Sequence, residues 1–128
     1  MKTELANFED IVLFVDSFYD KVQSDELIGP IFNAVITDWP PHLEKMYKFW
    51  NAALFGVPGF KGNPFARHAP LHLEKQHFER WLVLFKQTID TYFEGTMAEE
   101  TKKKADTMAI MFLSRIENMN GNAGKVIV

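Results

Sequence analysis

Four histidines carry most of the chemistry open to this sequence: His42, His68, His72 and His77. There is no cysteine, which removes disulfides, thiolate metal sites and a cysteine nucleophile together. His68 and His72 are four apart, a spacing that can put two ligands on one helix face. Pro70 stands between them and no carboxylate cluster joins them, which argues against zinc. Ser17, Ser24 and Ser114 lack the strand-to-helix elbow of a hydrolase nucleophile. Gly56, Gly59 and Gly62 are not followed by the Lys-Ser/Thr of a phosphate loop. His77 lies near the start of a helical stretch and reads as exposed.

These residues have to be positioned by helices, because no stretch alternates at period two. The first helix is expected from about Phe8 to Gln23, with Ile11, Val12, Phe14, Val15, Phe18, Tyr19 and Val22 on one broad face and Asn7 as its cap. A turn or two is expected over Asp25 to Asn33, interrupted at Gly29-Pro30. The next helix opens near Asp38, with Pro40 and Pro41 in its first turn, and stops at Gly56. His42, Met46, Phe49, Trp50, Ala53 and Leu54 form its stripe. Gly56 to Pro64 holds three Gly and two Pro, a connection of fixed turns, and a short piece from Phe65 to Leu71 carries Arg67 and His68. Glu74 to Phe93 is amphipathic and ends at Gly95. Thr96-Met97-Ala98-Glu99 reads as a capping box opening the last helix, which is expected to close at Asn120-Gly121-Asn122 with a frayed tail to Val128. The fold class is all-α, in one domain spanning 1–128.

Composition narrows the partners. With 128 residues, 47% hydrophobic and 24% charged, the chain can bury one core without staples. The formal net charge is −3, and the one dense basic run, Lys102-Lys103-Lys104, follows Glu99-Glu100 as a solvated helix face would. Nucleic acid is therefore disfavoured. No apolar run approaches a membrane span and Met1-Lys2-Thr3-Glu4 is unlike a signal peptide, so a cytoplasmic protein with no membrane partner is the expectation. Aromatics reach 14%, enough for a ring-rich core or for a wall around something flat.

One pairing remains. His42 heads the inner stripe of its helix and His68 follows the Gly/Pro connection. Two inward imidazoles across an aromatic gap suit a haem pocket, one ligating iron and the other facing a bound gas. Spacing alone also suits ordinary core histidines.

The sequence resembles the truncated haemoglobins, and within them the third group. The residues that carry the match are Phe18-Tyr19-Asp20-Lys21-Val22, Gly29-Pro30-Ile31-Phe32, and His42 with Phe49-Trp50. They continue with Phe60-Lys61-Gly62-Asn63-Pro64, His68, and the run from His77 to Phe85. Their order and spacing together are specific, and they cover about residues 8 to 118. The resemblance implies a truncated globin-like two-over-two helical sandwich around haem b. It implies His68 as the iron ligand, with Tyr19, His42 and Trp81 on the distal side. Phe32 would pack against the haem and Met46 would fill an apolar site one turn after His42. Arg67 is a candidate propionate partner by charge and proximity to His68. The aromatic that often opens the Gly/Pro motif as Tyr is Phe60 here.

The leading functional expectation is a haem protein binding dioxygen or another diatomic gas at a five-coordinate iron. The alternative is an enzyme using the same pocket for peroxide reduction or nitric oxide dioxygenation, with a separate reductase supplying electrons. A third, from another class, is a haem-free helical interaction module. Two distal donors are expected to hold dioxygen tightly, which favours scavenging, sensing or redox chemistry over bulk oxygen transport.

Overall fold

The computed structural model describes residues 2–59 and 73–127, with side chains as far as residue 115. Five helices are seen among them: α1 (Phe8–Ser24), α2 (Gly29–Val35), α3 (Trp39–Phe55), α4 (Lys75–Tyr92) and α5 (Thr96–Ile127). His68, Arg67, His72 and Phe60 lie outside the described residues.

The helix α1 forms where its apolar spacing requires. Asn7 accepts the Asp10 N–H at 3.0 Å, and the Asp10 carboxylate accepts the Ala6 N–H at 2.9 Å, so both sides of the helix start are bonded. Ile11, Phe14, Val15, Phe18, Tyr19 and Val22 are buried along one face. That face packs on α3 and on α4, and α4 in turn packs on α5. The result is two helix pairs laid over each other. Phe14, Phe18, Trp50, Trp81 and Phe85 interlock at the crossing, with Trp81 and Trp50 both stacked on Phe85 at 5.4 and 5.1 Å. On the outer side of α1 the Asp16 carboxylate accepts a hydrogen bond from Tyr47 of α3. Burial, then Asp16, pushes the Tyr47 hydroxyl up to about 12.

Gly29-Pro30 opens α2 rather than interrupting a helix, since a proline in the first turn has no N–H to lose. The chain before it is held by Asp25, whose carboxylate accepts the N–H groups of Leu27 and Ile28, each at 3.1 Å, and the Arg80 Nε–H at 2.7 Å. This corner fixes α2 against α4. Burial alone would raise the Asp25 carboxyl, but the bonds from Ile28, Arg80 and Leu27 outweigh it and hold it below the usual carboxylate range. A carboxyl held low in the fold adds stability above its unfolded value of about 4, and loses it as pH falls through the folded value. Asp25→Asn is therefore expected to cost about 1–3 kcal/mol at pH 7. It should also flatten the loss of stability below about pH 5, in urea titrations at several pH values.

The start of α5 is capped from a distance. Thr96 is already inside the helix, and the Met97 N–H is bonded instead by the Glu4 carboxylate at 2.9 Å. The N-terminal segment reaches this point by bridging the corner after α4, with Thr3 N–H on Tyr92 O and Glu94 N–H on Thr3 O. Gly95 has φ +103, and a Cβ there would lie 2.1 Å from the Glu4 carboxylate. Gly95→Ala must both strain the backbone and displace the cap. The expected loss is about 1–2 kcal/mol, read as a lower midpoint in chemical denaturation. The helix then runs through Asn120-Gly121-Asn122 to Ile127, past the expected stop; each of its two glycines, Gly121 and Gly124, costs only about 1 kcal/mol against alanine.

Candidate functional site

Between the two helix pairs lies a cavity of about 620 Å³, part of it open to solvent. Tyr19 comes from α1, Phe32 from α2, and Met46, Phe49 and Trp50 from α3. Leu73 precedes α4, which adds His77, Phe78 and Trp81, and α5 closes the far wall with Met108, Ala109 and Phe112. Each helix contributes on its inner stripe, so the periodicity that builds the core also builds the wall. The Gly29-Pro30 start is what turns Phe32 inward, where it is 5% exposed.

The wall is mainly apolar, with few polar atoms. Neither the Tyr19 hydroxyl nor the Trp81 indole N–H hydrogen-bonds to another of the described residues. Burial raises the Tyr19 hydroxyl far above its ordinary value, so it stays protonated and remains a donor across the neutral range. Its ring is held edge-on by Phe18 at 4.9 Å and by His42 at 5.2 Å. Trp81 is fixed by its stack on Phe85 and by the edge of Phe18. Two rigid donors, on α1 and α4, thus stand in one apolar chamber.

The structure brings Tyr19, Phe32, Met46 and Trp81 to one wall. His42 stands one ring behind it, half-buried, with its ring edge-on to both Tyr19 and Trp39. Trp39 completes a triangle of rings, 5.6 Å from Tyr19. His77 differs from expectation: it is half-buried and lines the cavity instead of facing solvent. The reason is local. Its Nδ1 accepts the Glu74 N–H at 2.8 Å, which folds the ring back over the start of α4. Trp39 and His77 are the two polar aromatics that sequence reasoning passed over. The i, i+4 spacing of His77 and Trp81 on one amphipathic face was the available signal.

A flat, largely apolar cofactor fits such a chamber. Rings form most of the chamber wall, and the hydroxyl and indole, without hydrogen-bond partners among the described residues, would meet a polar ligand bound there. Among the described residues no cluster of three or more His, Asp or Glu could hold a bare metal ion, and no helix is long and apolar enough to cross a membrane.

Comparison with known proteins agrees with this geometry. The family profile of bacterial-like globins matches residues 5–115. The group 3 truncated hemoglobin ctb of Campylobacter jejuni is 31% identical over 127 residues, covering 95% of this chain and all of that protein. The crystal structure of a group III truncated hemoglobin from Campylobacter jejuni superposes with a TM-score of 0.83 at 32% identity, covering 91% of this chain and 95% of that one. The truncated oxygen-avid haemoglobin of Bacillus subtilis gives a TM-score of 0.74 at 26% identity, covering 84% and 93%. The all-α sandwich, the inward rings of all five helices and these matches along nearly the whole chain lead to one assignment: the chain belongs to the bacterial-like globin family, among its truncated haemoglobins.

Proposed function

We propose that this chain holds a b-type haem in the cavity through His68, leaves the iron five-coordinate, and takes dioxygen or another diatomic gas beside Tyr19 and Trp81. The observation that carries the reading is the chamber itself: apolar walls from five helices with two preorganised donors among them. Haem, when bound, supplies an iron that takes a gas ligand and exchanges electrons. The chain's own residues do the rest. Phe32, Met46 and Trp50 exclude water. Tyr19 and Trp81 donate to a ligand that gathers negative charge, and in a dry site such donors act more strongly than in water. His42 stands behind Tyr19, its ring edge-on to the phenol.

Two donors on one ligand hold it tightly. Tight holding is poor for delivery and good for chemistry on the held gas, so the function is scavenging, sensing or redox chemistry rather than bulk transport. The enzymatic reading, peroxide reduction or nitric oxide dioxygenation with a separate electron donor, rests on the same donor pair. Stopped-flow release of dioxygen from the ferrous protein tests it. Slow release supports chemistry on the ligand; release as fast as that of a delivery globin measured alongside returns simple carriage to first place.

Trp81 and His42 should differ in kinetics. Trp81→Phe removes a donor and keeps the ring stack, so it should speed dioxygen release about 5- to 10-fold, the loss of a hydrogen bond of roughly 1–1.5 kcal/mol. His42→Ala opens the space behind Tyr19 and should mainly change association rates in flash photolysis with carbon monoxide. A change in release alone would contradict its role as a gate.

A further inference from the structure

We infer that His77 is a carboxylate-binding residue at the mouth of the cavity, with its Nε2–H donating to a propionate of the cofactor. The inference rests on the haem reading above and goes beyond it in assigning this contact.

The geometry of one hydrogen bond sets the chemistry. His77 Nδ1 accepts the Glu74 N–H at 2.8 Å, so the neutral ring carries its proton on Nε2. The ring cannot turn over without breaking the cap of α4, so the tautomer is fixed by the backbone. His77 lines the cavity, yet it is only half-buried and its neighbours Gln76 and Glu79 are exposed. One turn further along the same face, Trp81 packs into the aromatic core. Phe78 and Leu73, which line the same stretch, are buried, so the wall passes from wet at His77 to dry beside it. A flat cofactor carrying carboxylates must leave them at the wet end, because burying an ionised carboxylate without partners is costly.

The neighbouring cations Lys75 and Arg80 do not line the cavity. Lys75 pairs with Glu79 at 3.8 Å, and Arg80 is bound to Asp25 at 2.7 Å. On this stretch of wall the imidazole Nε2–H is the donor left for an anion. It has no hydrogen-bond partner among the described residues.

The test must separate this contact from the helix cap. His77→Glu keeps an acceptor at the third helical position, where Glu is a standard capping partner, but replaces the donor with a carboxylate. His77→Gln keeps both an acceptor and a donor. Haem transfer to an excess of a scavenging apoglobin is timed for the wild type and both variants, loaded with haem or with haem dimethyl ester. The denaturation midpoint of each apoprotein is recorded in parallel. His77→Glu should release haem at least about 10-fold faster, the loss of a charge-assisted bond, while its apoprotein midpoint stays at the wild-type value. With the dimethyl ester, wild type and His77→Glu should agree within about two-fold, and His77→Gln should resemble the wild type throughout. Equal acceleration with haem and with its ester would overturn the inference, as would haem release from His77→Glu within two-fold of wild type. Failure of the wild type to take up haem at all would instead refute the haem reading itself.

Discussion

Tyr19→Phe should speed dioxygen release from the ferrous protein about 10- to 150-fold while changing carbon monoxide release far less. The substitution removes one oxygen atom from a ring whose position is fixed by Phe18, Trp39 and His42. The packing of α1 therefore stays, and only the donor goes. Dioxygen held by iron carries partial negative charge, and carbon monoxide carries much less, so the phenol bond distinguishes them. A bond of this charge-assisted kind is worth roughly 1.5–3 kcal/mol, which gives the stated range. Burial keeps the Tyr19 hydroxyl protonated, so the effect should be flat with pH across the neutral range. An unchanged ratio of the two release rates would remove Tyr19 from this role and leave Trp81 as the principal donor.

The second large effect concerns the iron ligand. His68→Ala is expected to abolish stoichiometric haem, or to lose its five-coordinate ferrous spectrum, while His72→Ala keeps both. A neutral imidazole is a good iron ligand, and among the described residues the one imidazole lining the cavity is His77, whose Nδ1 accepts the Glu74 N–H and whose neutral ring therefore keeps its proton on Nε2. The reverse outcome, with His72→Ala losing haem and His68→Ala keeping it, would move the ligand by one turn.

Much of this was readable from residue order, and the reasons differ by element. The α1 helix was legible because its apolar residues fall on one face and Asn7 offers a local cap; Phe8–Ser24 follows the expected Phe8 to Gln23 closely. The stop at Gly56 was legible because a left-handed terminus favours glycine, and its φ is +68. Gly29-Pro30 was misread because a proline has opposite meanings inside a helix and at its first position. What decided between them was Asp25, whose carboxylate reaches both the α2 start and Arg80 on a distant helix. The cap of α5 was misplaced for the same reason, since Glu4 lies more than ninety residues from Met97.

The site shows the same division. Tyr19, Phe32, Met46 and Trp81 were named from sequence and meet at one cavity. Met108, Ala109 and Phe112 share the inner stripe of the last helix, and that stripe proves to be the far wall. His77 escaped because its burial depends on a backbone bond to Glu74, which no periodicity reports. Trp39 escaped because it sits at the very start of α3, before the stripe begins, and meets His42 and Tyr19 only through the crossing of α1 and α3.

Haem uptake in this chamber, followed by gas binding, is read from the optical spectrum of the purified protein after incubation with haem and removal of the excess, recorded reduced and then under carbon monoxide. One haem per chain, a five-coordinate ferrous spectrum, and a full shift of the Soret band with carbon monoxide are expected. A protein that stays colourless, or whose spectrum does not respond to the gas, would contradict the haem reading and favour a haem-free helical interaction module.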